Sequence, residues 1–228
     1  MYFSFDYLIF VLPALLLSMY AQYKVNSTFK KYANVRLMRN YTGAEAAREI
    51  LDANGLNHIS LERVAGNLTD HYDPRSGVIR LSEAVYDSNS VAAIGVAAHE
   101  AGHAIQYGKH YFPIKVRNAI LPVANLGSTI SWPLVLLGLV LGGSFLFLID
   151  LGILLFSAVV VFQLVTLPVE FNASRRALSV IETRGIVSDE ERRGARRVLT
   201  AAAMTYVAAL AVSVGNLLRL LMIRDRRR

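Results

Sequence analysis

His99, Glu100 and His103 lie within the small-residue run Val91–Tyr107, VAAIGVAAHEAGHAIQY, and spell H-E-x-x-H. Residues four apart on a helix share a face. His99 and His103 can therefore grip one metal ion through two imidazole nitrogens. Glu100 sits one position on, where its carboxylate can reach a water held by that metal. Two ligands and one general base on a single rigid element is the zinc-peptidase arrangement. With 5 histidines and nine glutamates in 228 residues, chance yields roughly 0.004 such motifs, so accident is a poor account of it. The plainer alternative is two solvated or core histidines beside an incidental glutamate. The flanks argue against that: Ser90 can cap the helix start, and Gly108 stands where a left-handed C-terminal residue belongs.

The elements around this helix have a membrane protein's composition. The chain is 54% hydrophobic and only 18% charged, with a mean hydropathy of +0.39, too apolar for an ordinary soluble domain. Its charges cluster between apolar blocks. No cysteine is present, which excludes a disulfide framework and a thiolate zinc site. The net charge of +7 is carried by basic segments next to apolar spans. That is the positive-inside pattern, and no nucleic-acid partner is expected.

Tyr2–Tyr23 reads as a spanning anchor, residues 1–23, with interfacial tyrosines. Asp6, the lack of an early base and the poor site Met19-Tyr20-Ala21 argue against a cleaved signal peptide. Lys24, Lys30, Lys31, Arg36 and Arg39 follow, which puts residues 24–117 in the cytoplasm. Thr42–Leu56 reads as a helix with a Thr42/Glu45 capping box, ended by Gly55. Leu61–Val64 and Val78–Leu81 read as short strands around the turn Asp73-Pro74-Arg75-Ser76-Gly77. Ser82 can cap another short helix, and His110–Arg117 looks like an interfacial bridge. Gly77–Leu81 is a candidate edge strand for holding a substrate backbone by β-augmentation. Residues 118–168 read as a transmembrane hairpin: Ile120–Leu141 with Pro122 and Pro133, a Gly142-Gly143-Ser144 turn, then Phe145–Leu167. Asp150, near the turn, is expected to be solvated. Residues 169–195 return to the cytoplasm. Residues 196–228 form a final apolar helix with a basic tail, and charge alone does not decide whether it crosses.

Two histidines fall short of the three protein ligands usual at catalytic zinc. The extended H-E-x-x-H-x-x-G-x-x-H form fails, because Gln106 and Lys109 occupy its glycine and third histidine and His110 is one place too far. Glu170 is the strongest remaining candidate. It follows the returning span, and Ala173, Ser174 and Ala177 beside it are small enough for close approach to the metal helix. Its rival role is an ion pair with Arg175. Glu182 and Asp189 are weaker candidates on a charged stretch.

These segments resemble the YugP-like neutral zinc metallopeptidases, a family of bacterial membrane proteins. The resemblance covers nearly the whole chain. It rests on Thr42-Gly43-Ala44-Glu45, Leu68-Thr69-Asp70-His71-Tyr72-Asp73-Pro74, Leu81-Ser82, His99 through Gln106, and Leu167 through Arg176. More distantly the chain is similar to HtpX-type and CAAX-processing membrane proteases, whose third-ligand motif E-x-x-A-D aligns with Glu170-Phe171-Asn172-Ala173-Ser174. The resemblance implies Glu170 as the third ligand. Ser174 replaces the motif's aspartate, so Asp70 or Asp73 becomes a candidate to support the zinc histidines.

The expected fold is a mainly α membrane protein. It carries a zincin-like (gluzincin) metallopeptidase domain with a small β-element on about three or four transmembrane helices. The expected site is one Zn²⁺ per chain on His99, His103 and Glu170, with Glu100 as general base and His71 or Tyr72 as a possible oxyanion donor. The expected activity is peptide-bond hydrolysis near the cytoplasmic face of the bacterial membrane. The expected partners are the lipid bilayer and a peptide or membrane-protein substrate. The competing function is a non-catalytic scaffold with a structural metal site, which four protein ligands and no exchangeable water would mark.

Overall fold

The computed structural model describes residues 7–226. Seven α-helices and three strands follow one another: α1 Leu12–Ala33, α2 Gly43–Ala53, β1 Ser60–Val64, β2 His71–Asp73, β3 Val78–Ser82, α3 Glu83–Tyr86, α4 Val91–Gly108, α5 Phe112–Leu141, α6 Phe147–Thr183 and α7 Asp189–Asp225. A π-helical turn, Tyr7–Val11, leads into α1. Residues 7–22, 112–168 and 204–226 group as one compact unit, and residues 23–111 with 169–203 as another. Positions 1–6 of the expected anchor, Asp6 among them, lie outside the described residues.

The first unit is apolar. Four helical segments, Tyr7–Ala33, Phe112–Leu141, Gly143–Thr183 and Asp189–Asp225, are long and apolar enough to cross a membrane, so the C-terminal helix is among the candidate spans. Leu136, Val140, Leu154 and Leu164 remain exposed, as lipid-facing side chains must be. Where α5 meets α6 the contact is small: a Cβ on Gly127 would strike the Leu155 carbonyl. Van der Waals fit drives such packing where no water is present to be expelled. Pro122 and Pro133 lie inside α5 without ending it. Gly142 and Gly143 take φ of 58° and 49° between the two helices, which side chains rarely permit. Asp150 is about half exposed and pairs with Arg224 at 2.7 Å.

The second unit holds a conventional core. The α2 capping box forms as read, with Thr42 accepting from Glu45 N and Glu45 from Thr42 N. Ile50, Leu51, Ile79, Leu81, Ile94 and Ile105 are fully buried together, each contributing about 1.5–3 kcal/mol relative to exposure. At the centre lies α4, capped by Ser90 through Ala93 N, with 13 of its 18 residues buried. Alanine suits this position: it favours helix and lets neighbouring backbones approach.

Several expectations need correction. The sheet order is β1-β3-β2, with β1 parallel and β2 antiparallel to β3. The strand proposed to hold substrate at its edge is therefore the central one. Both of its sides are already hydrogen-bonded, so it has no edge to offer. Ser82 precedes α3 but makes no side-chain cap there; its hydroxyl is held by Asp70 at 3.1 Å. Gly108 ends α4 in helical conformation, and the positive φ, 50°, belongs to His110. The need at Gly108 is space, since a Cβ would lie 2.9 Å from Leu56. Of the expected bridge His110–Arg117, the part from Phe112 on belongs to α5. The second arm of the expected hairpin, Phe145–Leu167, continues past Pro168 in one helix, α6, from Phe147 to Thr183.

Gly127→Val should therefore overpack the α5–α6 contact. The expected cost is about 1–3 kcal/mol, read as a lower unfolding midpoint of the purified protein in detergent; an unchanged midpoint would refute the close-contact account.

Candidate metal centre

On α4 the two imidazoles stand one turn apart, with ring centroids 4.7 Å from each other and planes at 81°. Their Nε2 atoms converge on one atom of α6. Glu170 Oε2 lies 3.2 Å from His99 Nε2 and 3.4 Å from His103 Nε2. Glu170 is only 4% exposed, and one donor atom from each residue falls within 4.8 Å of the others. Among the described residues this is the one such group of three. Charge-assisted imidazole–carboxylate hydrogen bonds are shorter, about 2.7–2.9 Å. Donors about 2.0–2.1 Å from a tetrahedral ion are instead spaced roughly 3.3–3.4 Å apart. Nitrogen and oxygen donors at this spacing fit zinc.

The tautomers are set from behind. Gln106 is fully buried, and its Nε2 donates to the Val169 carbonyl at 2.8 Å and to Asn172 Oδ1 at 3.0 Å. Its Oε1 therefore faces His103 Nδ1, 3.1 Å away, and can only accept. The proton of neutral His103 is thus placed on Nδ1, and the lone pair on Nε2. Ser174 Oγ lies 3.1 Å from His99 Nδ1 and can accept in the same way. Asn172 Oδ1 is itself fixed by Arg176 Nε at 2.7 Å.

Close approach of α4 and α6 makes this possible. A Cβ on Gly102 would sit 2.5 Å from the Ala173 carbonyl oxygen, so the glycine between the two histidines is required. Glu100, on the next position of α4, is 9% exposed. Its Oε2 accepts the Tyr72 amide of β2 at 2.9 Å, which fixes the carboxylate beside the metal helix. The small sheet thus serves the site through β2.

The residues singled out from sequence separate cleanly. His99, His103 and Glu170 are brought together. Glu170 pairs with the imidazoles, and no ion pair to Arg175 is among the described contacts. Glu182 and Asp189 instead pair with Arg192. Asp70 is committed to Ser82, through its amide at 2.8 Å and its hydroxyl. Asp73 is committed to its own turn: Ser76 first, then the Arg75 amide, hold its carboxyl down at about 2. Neither bonds His99 or His103 among the described contacts; Ser174 and Gln106 stand there instead. His71 turns its Nδ1 to the Thr69 carbonyl at 2.8 Å, and the Tyr72 ring packs edge-on against Tyr107. Gln106 went unrecognised as a partner of His103, although its i+3 spacing placed it on the same face.

The family described as "putative neutral zinc metallopeptidase" matches residues 7–225. The chain belongs to that family. It is also 52% identical over 217 residues to "Putative membrane protease YugP" of Bacillus subtilis (strain 168), covering 95% of this chain and 96% of that relative. No solved structure matches.

Two outcomes follow from the geometry. Gln106→Leu should weaken zinc binding about 10- to 100-fold, measured by competition with a chromophoric chelator; unchanged affinity would show that the amide does not orient His103. The second concerns pH. In the metal-free site burial pushes the His103 pKa down, but the carboxylates of Glu170 and Glu100 raise it by more. Only the neutral imidazole ligates. Zinc affinity should thus rise with pH through a value above the ordinary ~6.5 of histidine and level off beyond it, as a titration of affinity against pH would reveal.

Proposed function

We propose that the protein is a membrane-embedded zinc metalloendopeptidase of gluzincin type, acting near the cytoplasmic face. The observation that carries this is the convergence of His99 Nε2, His103 Nε2 and Glu170 Oε2 at 3.2–3.4 Å, beside a buried carboxylate that is not one of the three. A zinc ion bound there supplies a Lewis acid and a water acidified from about 15.7 towards about 7. With His99, His103 and Glu170 holding the ion, Glu100 would take a proton from that water and return it to the leaving amine. The Tyr72 amide holds Glu100 in place for both transfers. Gln106 and Ser174 keep the ligand nitrogens presented, so no reorganisation is needed when the substrate arrives.

The cytoplasmic placement is supported by charge. Lys24, Lys30, Lys31, Arg36 and Arg39 follow the first candidate span, and seven arginines lie between residues 169 and 197, as expected of inside-facing segments. The substrate class is peptides or membrane proteins whose chain reaches that face.

Glu100→Gln should retain zinc and lose about 10²–10⁴-fold in hydrolysis of a fluorogenic peptide, whereas Glu170→Ala should lose zinc as well. Full activity in Glu100→Gln would remove the base. A metal-replete wild type that cleaves no peptide would favour the scaffold function.

A further inference from the structure

Lys24, Lys31, Arg193 and Arg197 form a basic flank on the second unit that the metal site does not use. Lys24 and Lys31 are seven apart on α1, so they share one face of that helix. Arg193 and Arg197, four apart, share a face of α7. The helix α1 runs into this unit at Tyr23 and α7 runs out of it after Ala203, so the two lie in opposite directions. Tyr32 joins their faces. Its ring packs on Gly194, where a Cβ would lie 2.9 Å from Tyr32 Cε1. Arg197 Nη1 donates to the Tyr32 hydroxyl at 3.0 Å. Lys31 Nζ stands over the same ring, 5.7 Å from its centroid.

Little on these helices neutralises the flank. No acidic residue occurs in α1, and none occurs in α7 between Glu191 and Asp225. Lys24, Lys31 and Arg197 have no carboxylate partner among the described residues. Arg193 has the exposed Glu190 at 3.6 Å, a contact of little strength in water. All four cations are exposed. Like charges gathered in this way repel one another and attract an anion. Their placement says which anion. Both helices belong to candidate spans. Lys24 is the first charged residue after the apolar run of α1, and Arg197 is the last before that of α7. Cations at the edge of an apolar span meet the headgroup layer, where tyrosine is also favoured. A topological signal needs only a number of charges on one side. It does not require them on one flank of two helices, gathered around an aromatic ring.

We infer that this flank binds the headgroup of an anionic phospholipid. Arg197 uses one N–H on Tyr32 and keeps the others for phosphate oxygens. Lys24, Lys31 and Arg193 add positive charge around the same phosphate. Tyr32 holds Arg197 and Lys31 on one ring, so part of the ordering cost is met before the lipid arrives. The inference is independent of the hydrolase reading.

The test titrates phosphatidylglycerol and phosphatidylcholine of identical acyl chains into the full-length protein in neutral detergent. Native mass spectrometry reads the Kd of the first bound lipid. Phosphatidylglycerol should bind more tightly, by on the order of tenfold. Replacing Lys24, Lys31, Arg193 and Arg197 together by glutamine should bring the two Kd values within about twofold of each other. A control that removes four charges elsewhere, Lys30→Gln, Arg36→Gln, Arg75→Gln and Arg196→Gln, should keep the preference. Should the first set not fold, Lys24→Gln with Lys31→Gln leaves the Arg197–Tyr32 bond in place and should cut the preference about threefold. Equal Kd values in the wild type would overturn the proposal. So would a preference that survives loss of the flank, or one that the control set removes as fully. Displacement of the lipid by millimolar inorganic phosphate would assign the flank to a free anion, and the proposal would fall.

Discussion

The approach of α4 to α6 across Gly102 is the constraint on which the candidate site depends. The two helices meet backbone to backbone, with the Ala173 carbonyl where a side chain at position 102 would stand. Only at that separation does a glutamate on one helix reach two imidazoles on the other. Gln106 fixes the same contact from the side, bonding the Val169 carbonyl of α6 and presenting its oxygen to His103. One amide thus sets both the register of the helices and the protonation of a ligand.

Rigidity here comes from two kinds of packing. The second unit buries isoleucines and leucines around α4, and expulsion of water holds them together. Within the candidate spans that force is missing, and small residues such as Gly127 allow close fit instead. Glu170 sits on α6 just beyond Pro168, where the helix continues without a break. The position of its carboxylate is therefore set by a continuous rod, which suits a ligand better than a loop would.

The electrostatics are economical. Two partly buried imidazoles, of a kind that ligates a metal only when neutral, face a buried carboxylate, which would ligate when charged. Without a metal the histidine is drawn towards protonation; with a divalent cation the same charges become the binding energy. Glu100 stands outside that set, its Oε2 accepting the Tyr72 amide of β2.

Much of this was legible in the sequence because it is local. H-E-x-x-H names two ligands and a base through helical periodicity alone, the Thr42/Glu45 box and the Ser90 cap need only neighbouring residues, and apolar runs mark the candidate spans. The third ligand was legible as the best of several acids, together with the small residues that let it approach. What failed was non-local. Strand order cannot be deduced from strand propensity, so Gly77–Leu81 reads as an edge although β1 and β2 both pair with that stretch. Asp70 and Asp73 looked free to support the histidines, but each had a nearer partner in Ser82 or its own turn. Gln106 and Ser174 took those places because helix packing put them within reach. The sequence by itself determined which side chains could do chemistry; which of them meet was decided by tertiary contacts, since a ligand set divided between positions 99 and 170 exists only once two helices have packed.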